Sequence, residues 1–143
     1  MKIATIIILA IAFPLFLIAK TSGVEKLFKK YENVKGFELE VSDTNIDIDI
    51  DFDGDSGFMK FLDDAESFYV LNFEYGQGSD KNLDSFKAKL NKTIDKEDYT
   101  TILDLSGEEE FRLLVLKGKD DKIDAILMIT SDEDDASFIL ITN

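Results

Sequence analysis

Residues 99–142 read YTTILDLSGEEEFRLLVLKGKDDKIDAILMITSDEDDASFILIT, and this stretch decides the fold. It contains four apolar-rich runs, at Tyr99 to Leu105, Phe111 to Lys117, Ile123 to Thr130 and Ser137 to Thr142. The turns between them are polar and so short that neighbouring strands must run antiparallel. The last three runs are apolar at consecutive positions, which is typical of strands buried on both faces. The pattern therefore predicts a central antiparallel sheet built as a C-terminal meander.

Five segments upstream of this meander complete the predicted domain. Helical spacing of apolar residues predicts helices near Val24 to Glu32, over one or two turns from Phe58 to Ala65, and from about Asn82 to Lys96. Period-two alternation predicts strands at Phe37 to Val41 and at Phe68 to Tyr75. We expect the helices to pack on one face of the sheet, which gives an α+β domain.

Two groups of residues in these elements have both a structural and a functional interpretation. Tyr69, Phe73 and Tyr75 alternate along one strand, where core packing is the ordinary role and a ligand groove is the alternative. The run from Asp132 to Asp135 lies at a predicted hairpin tip. Charged turns are common there, and a small ion site is the alternative.

The first 19 residues have the order of charge, apolar run and small residue that is typical of a secretory signal peptide. Lys2 is followed by an apolar run from Ile3 to Ile18, and the segment ends at Ala19. An uncleaved membrane anchor is the alternative, but the run is at the lower limit of a spanning helix and contains Pro14. The sequence thus predicts a signal peptide over residues 1–19 and a single domain over residues 20–143.

The composition of the chain excludes several kinds of catalytic and metal site. The formal net charge is −14, and the chain has neither His nor Cys. Nucleophile systems that need His or Cys are therefore excluded, as are the usual zinc, copper and haem sites. A strongly acidic chain is expected to be repelled by nucleic acid and by anionic membranes, and to favour cations or basic protein surfaces. No local motif supports an enzyme, although a hydrolase that uses two carboxylates remains an alternative.

The acidic segment from Ile46 to Asp55 has two interpretations that conflict. Its strict alternation predicts a strand with the apolar side chains inward and the carboxylates in solvent. The same residues match the opening of a calcium loop, in which oxygen ligands alternate and a Gly follows at the sixth position. The candidate calcium ligands are Asp49, Asp51, Asp53 and Asp55. The match ends at the twelfth position, where the usual bidentate Glu is replaced by Lys60.

Several stretches of the chain resemble a family known as domain of unknown function 4252. They are the helix VEKLFKKY at residues 24–31, the strand SFYVLNFE at 67–74, and the closing strands KIDAILMI at 122–129 and ASFILI at 136–141. The resemblance covers nearly all of the chain after the signal segment. It implies a small exported α+β domain of Gram-negative bacteria and supplies no activity, so no functional residue is carried over.

The sequence and the resemblance together predict an exported, non-enzymatic binding or interaction domain of the bacterial cell envelope, periplasmic or secreted. The expected partner is an envelope protein or a cationic surface. Nucleic acid is not expected as a partner. Contact with a membrane is expected only through residues 1–19, if they are retained. The alternative function is a calcium-binding module, with Ca²⁺ held by the acidic segment. No other cofactor is expected.

Overall fold

The computed structural model describes residues 22–42, 56–107, 109–118 and 122–142. The helices in these ranges are α1 (Gly23–Tyr31), α2 (Ser56–Asp64) and α3 (Asp80–Lys96). The strands are β1 (Phe37–Ser42), β2 (Ser67–Glu74), β3 (Thr100–Leu105), β4 (Glu110–Lys117), β5 (Ile123–Ser131) and β6 (Asp135–Thr142). The predicted α+β class is confirmed, and each predicted helix and strand in these ranges is present with small shifts at its ends.

The six strands form one sheet in the order β1-β2-β6-β5-β4-β3, with every neighbouring pair antiparallel. Strands β3 to β6 form the predicted meander. The last of them, β6, pairs with β2, so α3 carries the chain from β2 across to the far edge of the sheet. Strands β1 and β3, which are distant in sequence from one another, are therefore the two edges.

The first face of the sheet is covered by α1 and α3. The buried stripe of α3 is Leu83, Phe86, Leu90 and Ile94, as the sequence predicts. Phe86 is at the centre, with its ring centroid 4.6 Å from that of Phe138 on β6 and 5.0 Å from that of Tyr31 on α1. Aromatic rings from two helices and several strands thus close one continuous core.

The second face of the sheet is covered by α2, and here the prediction that the helices share one face was wrong. Phe61 packs in a separate buried cluster with six strand residues, namely Phe68, Leu113, Val115, Ile126, Met128 and Ile141. These side chains alternate with those that contact α1 and α3, so they point to the opposite side. The physical reason is that central strands with apolar residues on both faces need cover on both faces.

The α1–α3 layer is fixed by capping contacts as well as by packing. The Ser22 hydroxyl accepts hydrogen bonds from the N–H groups of Val24 and Glu25, and so caps the N-terminus of α1. The Gly23 N–H donates to Glu97 Oε1 at 2.8 Å, which ties the start of α1 to the end of α3. At the other end of α1, the Tyr31 and Ser85 hydroxyls are 3.3 Å apart. The two helices are therefore neighbours that run antiparallel.

Candidate functional site

One end of the sheet carries the acidic hairpin tip between β5 and β6. Asp132 Oδ1 accepts hydrogen bonds from the N–H groups of Asp134 and Asp135, at 2.8 and 2.9 Å. This is the local geometry in which an Asp side chain closes its own turn. A shallow depression of about 330 Å³ lies beside the tip, lined by Glu109, Asp132, Glu133 and Asp134. The predicted turn is thus present, and its carboxylate stabilises the backbone.

The pKa values of residues at this hairpin tip are shifted by the same hydrogen bonds and by the neighbouring carboxylates. The backbone N–H groups of Asp135 and Asp134 lower the pKa of Asp132, because they hydrogen-bond its charged form. The pKa of Asp135 is raised by desolvation and by its neighbours Asp132 and Asp134. Burial raises the pKa of Tyr75, and the carboxylate of Asp132 adds to that effect. The end of the sheet is therefore a region of negative potential.

A second acidic depression, of about 430 Å³, lies where β1, β2 and β6 meet. Its carboxylates are Glu38, Glu74 and Asp135, and the backbone of Gly36 forms part of its wall. Gly36 has φ +94° and lies so close to Gly78 that an added Cβ would come within 2.6 Å of the Gly78 Cα. Only glycine fits both requirements, so this wall is a rigid contact between two loops.

The described residues do not assemble a metal centre. Within them, no three carboxylate side chains converge closely enough to hold an ion. The candidate calcium ligands Asp49, Asp51, Asp53 and Asp55 lie outside the described residues, as does the predicted signal segment at residues 1–19. The structure therefore tests neither the calcium prediction nor the signal-peptide prediction.

The aromatic side chains that the sequence singled out belong to the core. Tyr69 and Phe73 are buried on the first face of the sheet, so the core interpretation holds for both. Tyr75 is half-buried and packs edge-on against Phe73, with the ring centroids 5.8 Å apart. The alternative of an open ligand groove along this strand does not agree with that packing.

The β3 edge, defined as residues Thr100–Leu105, is the most distinctive surface of the described chain. All six residues are exposed, although the strand is rich in large apolar side chains. Ile102 is 42% exposed, Leu103 38% and Leu105 55%. The register with β4 shifts between Thr101 and Leu103, which leaves a bulge at Ile102. No described strand pairs with the outer side of β3.

The charges around the β3 edge are arranged unevenly. Within the strand the one carboxylate is Asp104, which lies 4.0 Å from the Arg112 side chain of β4. Arg112 also donates a hydrogen bond to Asn91 of α3, at 3.2 Å. Exposed carboxylates flank the strand on both sides, at Asp98 and Glu109. The edge is therefore apolar and locally neutral, with acidic residues beyond its ends.

The sequence predicts β3 as a strand but does not predict its exposure. An apolar run at the start of a meander has the same composition whether it lies inside a sheet or at its edge. The position of β3 depends on the crossover through α3, which no local pattern reports. One signal was available, because Thr100 and Thr101 make this run more polar than the three that follow it.

Comparisons with known proteins give a family and no activity. No helix among the described residues is both long enough and apolar enough to cross a membrane. No curated protein and no solved structure matches the chain. The family model described as "Domain of unknown function (DUF4252)" matches residues 28–142, which include all six strands. The chain therefore belongs to the DUF4252 family, as its resemblance predicted.

Proposed function

We propose that this chain is an exported, non-enzymatic domain of the bacterial cell envelope, and that it binds an extended segment of a partner protein along the β3 edge. The observation that carries the proposal is the exposure of all six residues of an apolar edge strand. An edge strand offers a row of backbone N–H and C=O groups, and a partner strand can pair with them. Exposed apolar side chains on such a strand add affinity when they are covered.

The other edge of the sheet supports the choice of β3. Strand β1 has exposed carboxylates at Glu38 and Glu40, which is a common way to keep an edge from pairing with other chains. On its opposite side Phe37 is buried in the core, and Val41, near the end of the strand, is the one large apolar residue of β1 that is exposed. Leu103 and Leu105 are two exposed apolar residues on one side of β3, and their partners on β4 are the buried Leu113 and the half-buried Phe111.

The chemistry of the partner segment follows from the charges around β3. Asp98 and Glu109 flank the strand, so a segment with basic residues at its ends and apolar side chains at alternate positions is complementary. Regular pairing of β3 with β4 resumes at Leu103, beyond the bulge. We therefore place the apolar contacts of the partner at Leu103 and Leu105.

Site-specific photocrosslinking in cells that express the protein natively tests this proposal. A photoreactive phenylalanine analogue at Leu105 is expected to give a discrete crosslinked protein, and the same analogue at Glu40 on β1 is the matched edge control. Both positions are exposed, so neither analogue has to be accommodated in the core. Equal crosslinking at both positions, or none at Leu105, would overturn the assignment of the β3 edge.

Export is tested separately on the same cells. We expect the protein to be released by osmotic shock or found in the medium, and its intact mass to correspond to a chain that starts at Lys20. A chain that keeps Met1 to Ala19 and stays with the membrane would support the anchor alternative. A cytoplasmic chain would overturn the export proposal.

A calcium-binding module is the second candidate function, and the observation that favours it is the spacing of Asp49, Asp51 and Asp53 before Gly54. The test is thermal unfolding in EDTA, in calcium, and in magnesium at matched ionic strength. A rise of several degrees that is specific to calcium and lost in Asp49→Asn/Asp51→Asn supports the module. Equal curves in calcium and magnesium would exclude a specific calcium site in this segment.

A further inference from the structure

The charges of this acidic protein are strongly segregated by the fold. Helices α1 and α3 carry eight lysines against four carboxylates, although the whole chain has a net charge of −14. The rest of the chain therefore has a net charge that is even more negative than that of the whole chain. Because α1 and α3 lie side by side on the first face of the sheet, their outer surface differs in charge from the remainder of the molecule.

Contacts of α3 fix which of its residues face outward. The side toward α1 is marked by Ser85, which meets the Tyr31 hydroxyl, and the opposite side by Asn91, which accepts a hydrogen bond from Arg112 of β4. At 100° per residue, the stripe that continues from Ser85 contains Lys89, Lys92 and Lys96. All three are exposed.

The carboxylates of α3 lie on its other side. Asp80, Asp84 and Asp95 share the helical flank of Asn91, which faces the β4 side of the layer. Glu97, just after the helix, accepts the Gly23 N–H and is only partly exposed. The stripe of three lysines therefore has carboxylates along one side only, where Asp95 borders it.

Helix α1 extends this stripe. Gly23 lies against α3, where an added Cβ would come 3.0 Å from Thr93 Cγ2. Lys26 and Lys30 follow Gly23 at positions three and seven further on, so they lie on the same side of α1 and are exposed. Lys29 is on the other flank, where it pairs with Glu25. We define the lysine face as Lys26, Lys30, Lys89, Lys92 and Lys96.

The geometry around Tyr31 shows that a lysine of α3 reaches across to α1. Lys89 Nζ of α3 is 5.4 Å from the centroid of the Tyr31 ring of α1. Burial raises the pKa of Tyr31, but the Ser85 hydrogen bond and the positive charges of Lys89 and Lys30 outweigh it and lower the pKa overall. The ammonium group of Lys89 thus lies at the junction of the two helices.

We infer that the lysine face is a docking surface for an anionic lipid membrane. The face is the outer side of two adjacent helices, the longer of which extends for about 25 Å, so it presents an extended plane of positive charge. The large exposed hydrophobic residues of the described chain are Val41, Ile102, Leu103 and Leu105, and none of them is on α1 or α3. Binding is therefore electrostatic and superficial, without insertion of side chains.

The acidity of the rest of the chain does not prevent binding to a lipid surface. The net charge of −14 opposes binding only weakly, since charges more than about 8 Å from the surface are screened at physiological ionic strength. This inference does not depend on the β3 partner or on export.

Vesicle co-sedimentation tests the inference on the segment Lys20–Asn143, which contains every buried residue of the described chain. Its folding is checked first by circular dichroism. The probes are vesicles of phosphatidylcholine alone and of phosphatidylcholine with phosphatidylglycerol, at low and high salt, and soluble polyphosphate. We expect binding to the anionic vesicles, none to the neutral ones, and loss of binding at high salt.

A matched pair of variants localises the binding. Lys30→Glu/Lys92→Glu reverses two charges on the lysine face, and we expect its affinity for anionic vesicles to fall at least about 30-fold. Lys60→Glu/Lys122→Glu makes the same change at two exposed positions away from that face, and its affinity should stay within about threefold of the parent. Equal losses in both variants, or no binding to anionic vesicles, overturn the inference. Binding to polyphosphate alone also overturns it, and would assign the face to a soluble polyanion.

Discussion

The two faces of the sheet are covered in very different ways. On the first face, α1 and α3 together bring 26 residues over a core rich in aromatic rings. On the second face, the shorter helix α2 packs against a smaller cluster, and Phe61 and Phe68 are the aromatic residues that lie buried in it among the described side chains. The same strands supply both cores, because their apolar side chains alternate between the two sides.

The difference shows how the length of the covering helix decides what remains exposed. α2 reaches the centre of the second face, where Leu113 and Met128 are buried. It does not cover the β3 edge, where Leu103 and Leu105 lie on the same side of the sheet and remain exposed. The apolar edge to which we assign partner binding is thus the uncovered margin of the second face.

The largest predicted effect of truncating an aromatic ring is on the first face. Phe86→Ala removes the ring that contacts Phe28, Tyr31, Phe37 and Phe138. We expect the free energy of unfolding to fall by about 4–5 kcal/mol, measured by urea denaturation, since the cavity lies where two helices and the sheet meet. Phe86→Leu should cost clearly less, and it provides a measurable variant if Phe86→Ala does not fold. A loss below about 2 kcal/mol for Phe86→Ala would contradict the central role of this ring.

The matching change on the second face should cost less. Phe61→Ala is expected to lower the free energy of unfolding by about 3 kcal/mol, because α2 is short and its surroundings can collapse more easily. Hydrogen exchange should show the amides of α2 opening before those of α3. If Phe61→Ala costs as much as Phe86→Ala, the two faces contribute equally and the comparison fails.

The margin of the first core contains a buried tyrosine hydroxyl. Tyr99 Oη has no partner with hydrogen-bond geometry among the described residues; burial and the charge of Glu97 raise the pKa of Tyr99 to about 12, against a smaller opposing effect of the Ser22 side chain. In the unfolded chain this group titrates near its ordinary value of 10.0. The folded state therefore loses stability as the pH rises between these two values, by at most about 3 kcal/mol.

Tyr99→Phe should remove that alkaline loss and, at neutral pH, raise the free energy of unfolding by about 1 kcal/mol. Thermal unfolding followed from neutral pH to pH 12 measures both effects. Tyr31→Phe is the control, since the Tyr31 hydroxyl has a partner in Ser85 and its pKa is lowered. An alkaline loss that is unchanged in Tyr99→Phe would show that other groups cause it.

The smallest effect on stability is expected at the uncovered margin. Leu105→Lys should change the free energy of unfolding by less than about 0.5 kcal/mol, because Leu105 is already 55% exposed. Leu113→Lys, on the paired strand β4, should prevent folding, because it places a charge in a fully buried position. Chemical denaturation of the two variants measures this contrast. A large loss in Leu105→Lys would mean that the edge is covered within the protein itself.

Much of the secondary structure was predictable because its signals are local. The stripe Leu83, Phe86, Leu90 and Ile94 and the alternation of Tyr69, Leu71 and Phe73 both bury the residues that their periods indicate. The end of α1 at Tyr31 and the start of β1 at Phe37 also follow the sequence closely. The candidate binding surfaces were less predictable, because exposure of Leu105 depends on which strand forms the edge.

The sequence by itself determined the class of the domain, its antiparallel meander and the facing of residues within each helix and strand. These properties follow from periods of 3.6 and 2 residues along the chain, which need no distant contact. Tertiary structure alone decided that β6 pairs with β2, that α2 covers the second face, and that the lysines of α1 and α3 share one surface. These depend on contacts between segments far apart in sequence, so composition could report the net charge of −14 and not where the opposite charges gather.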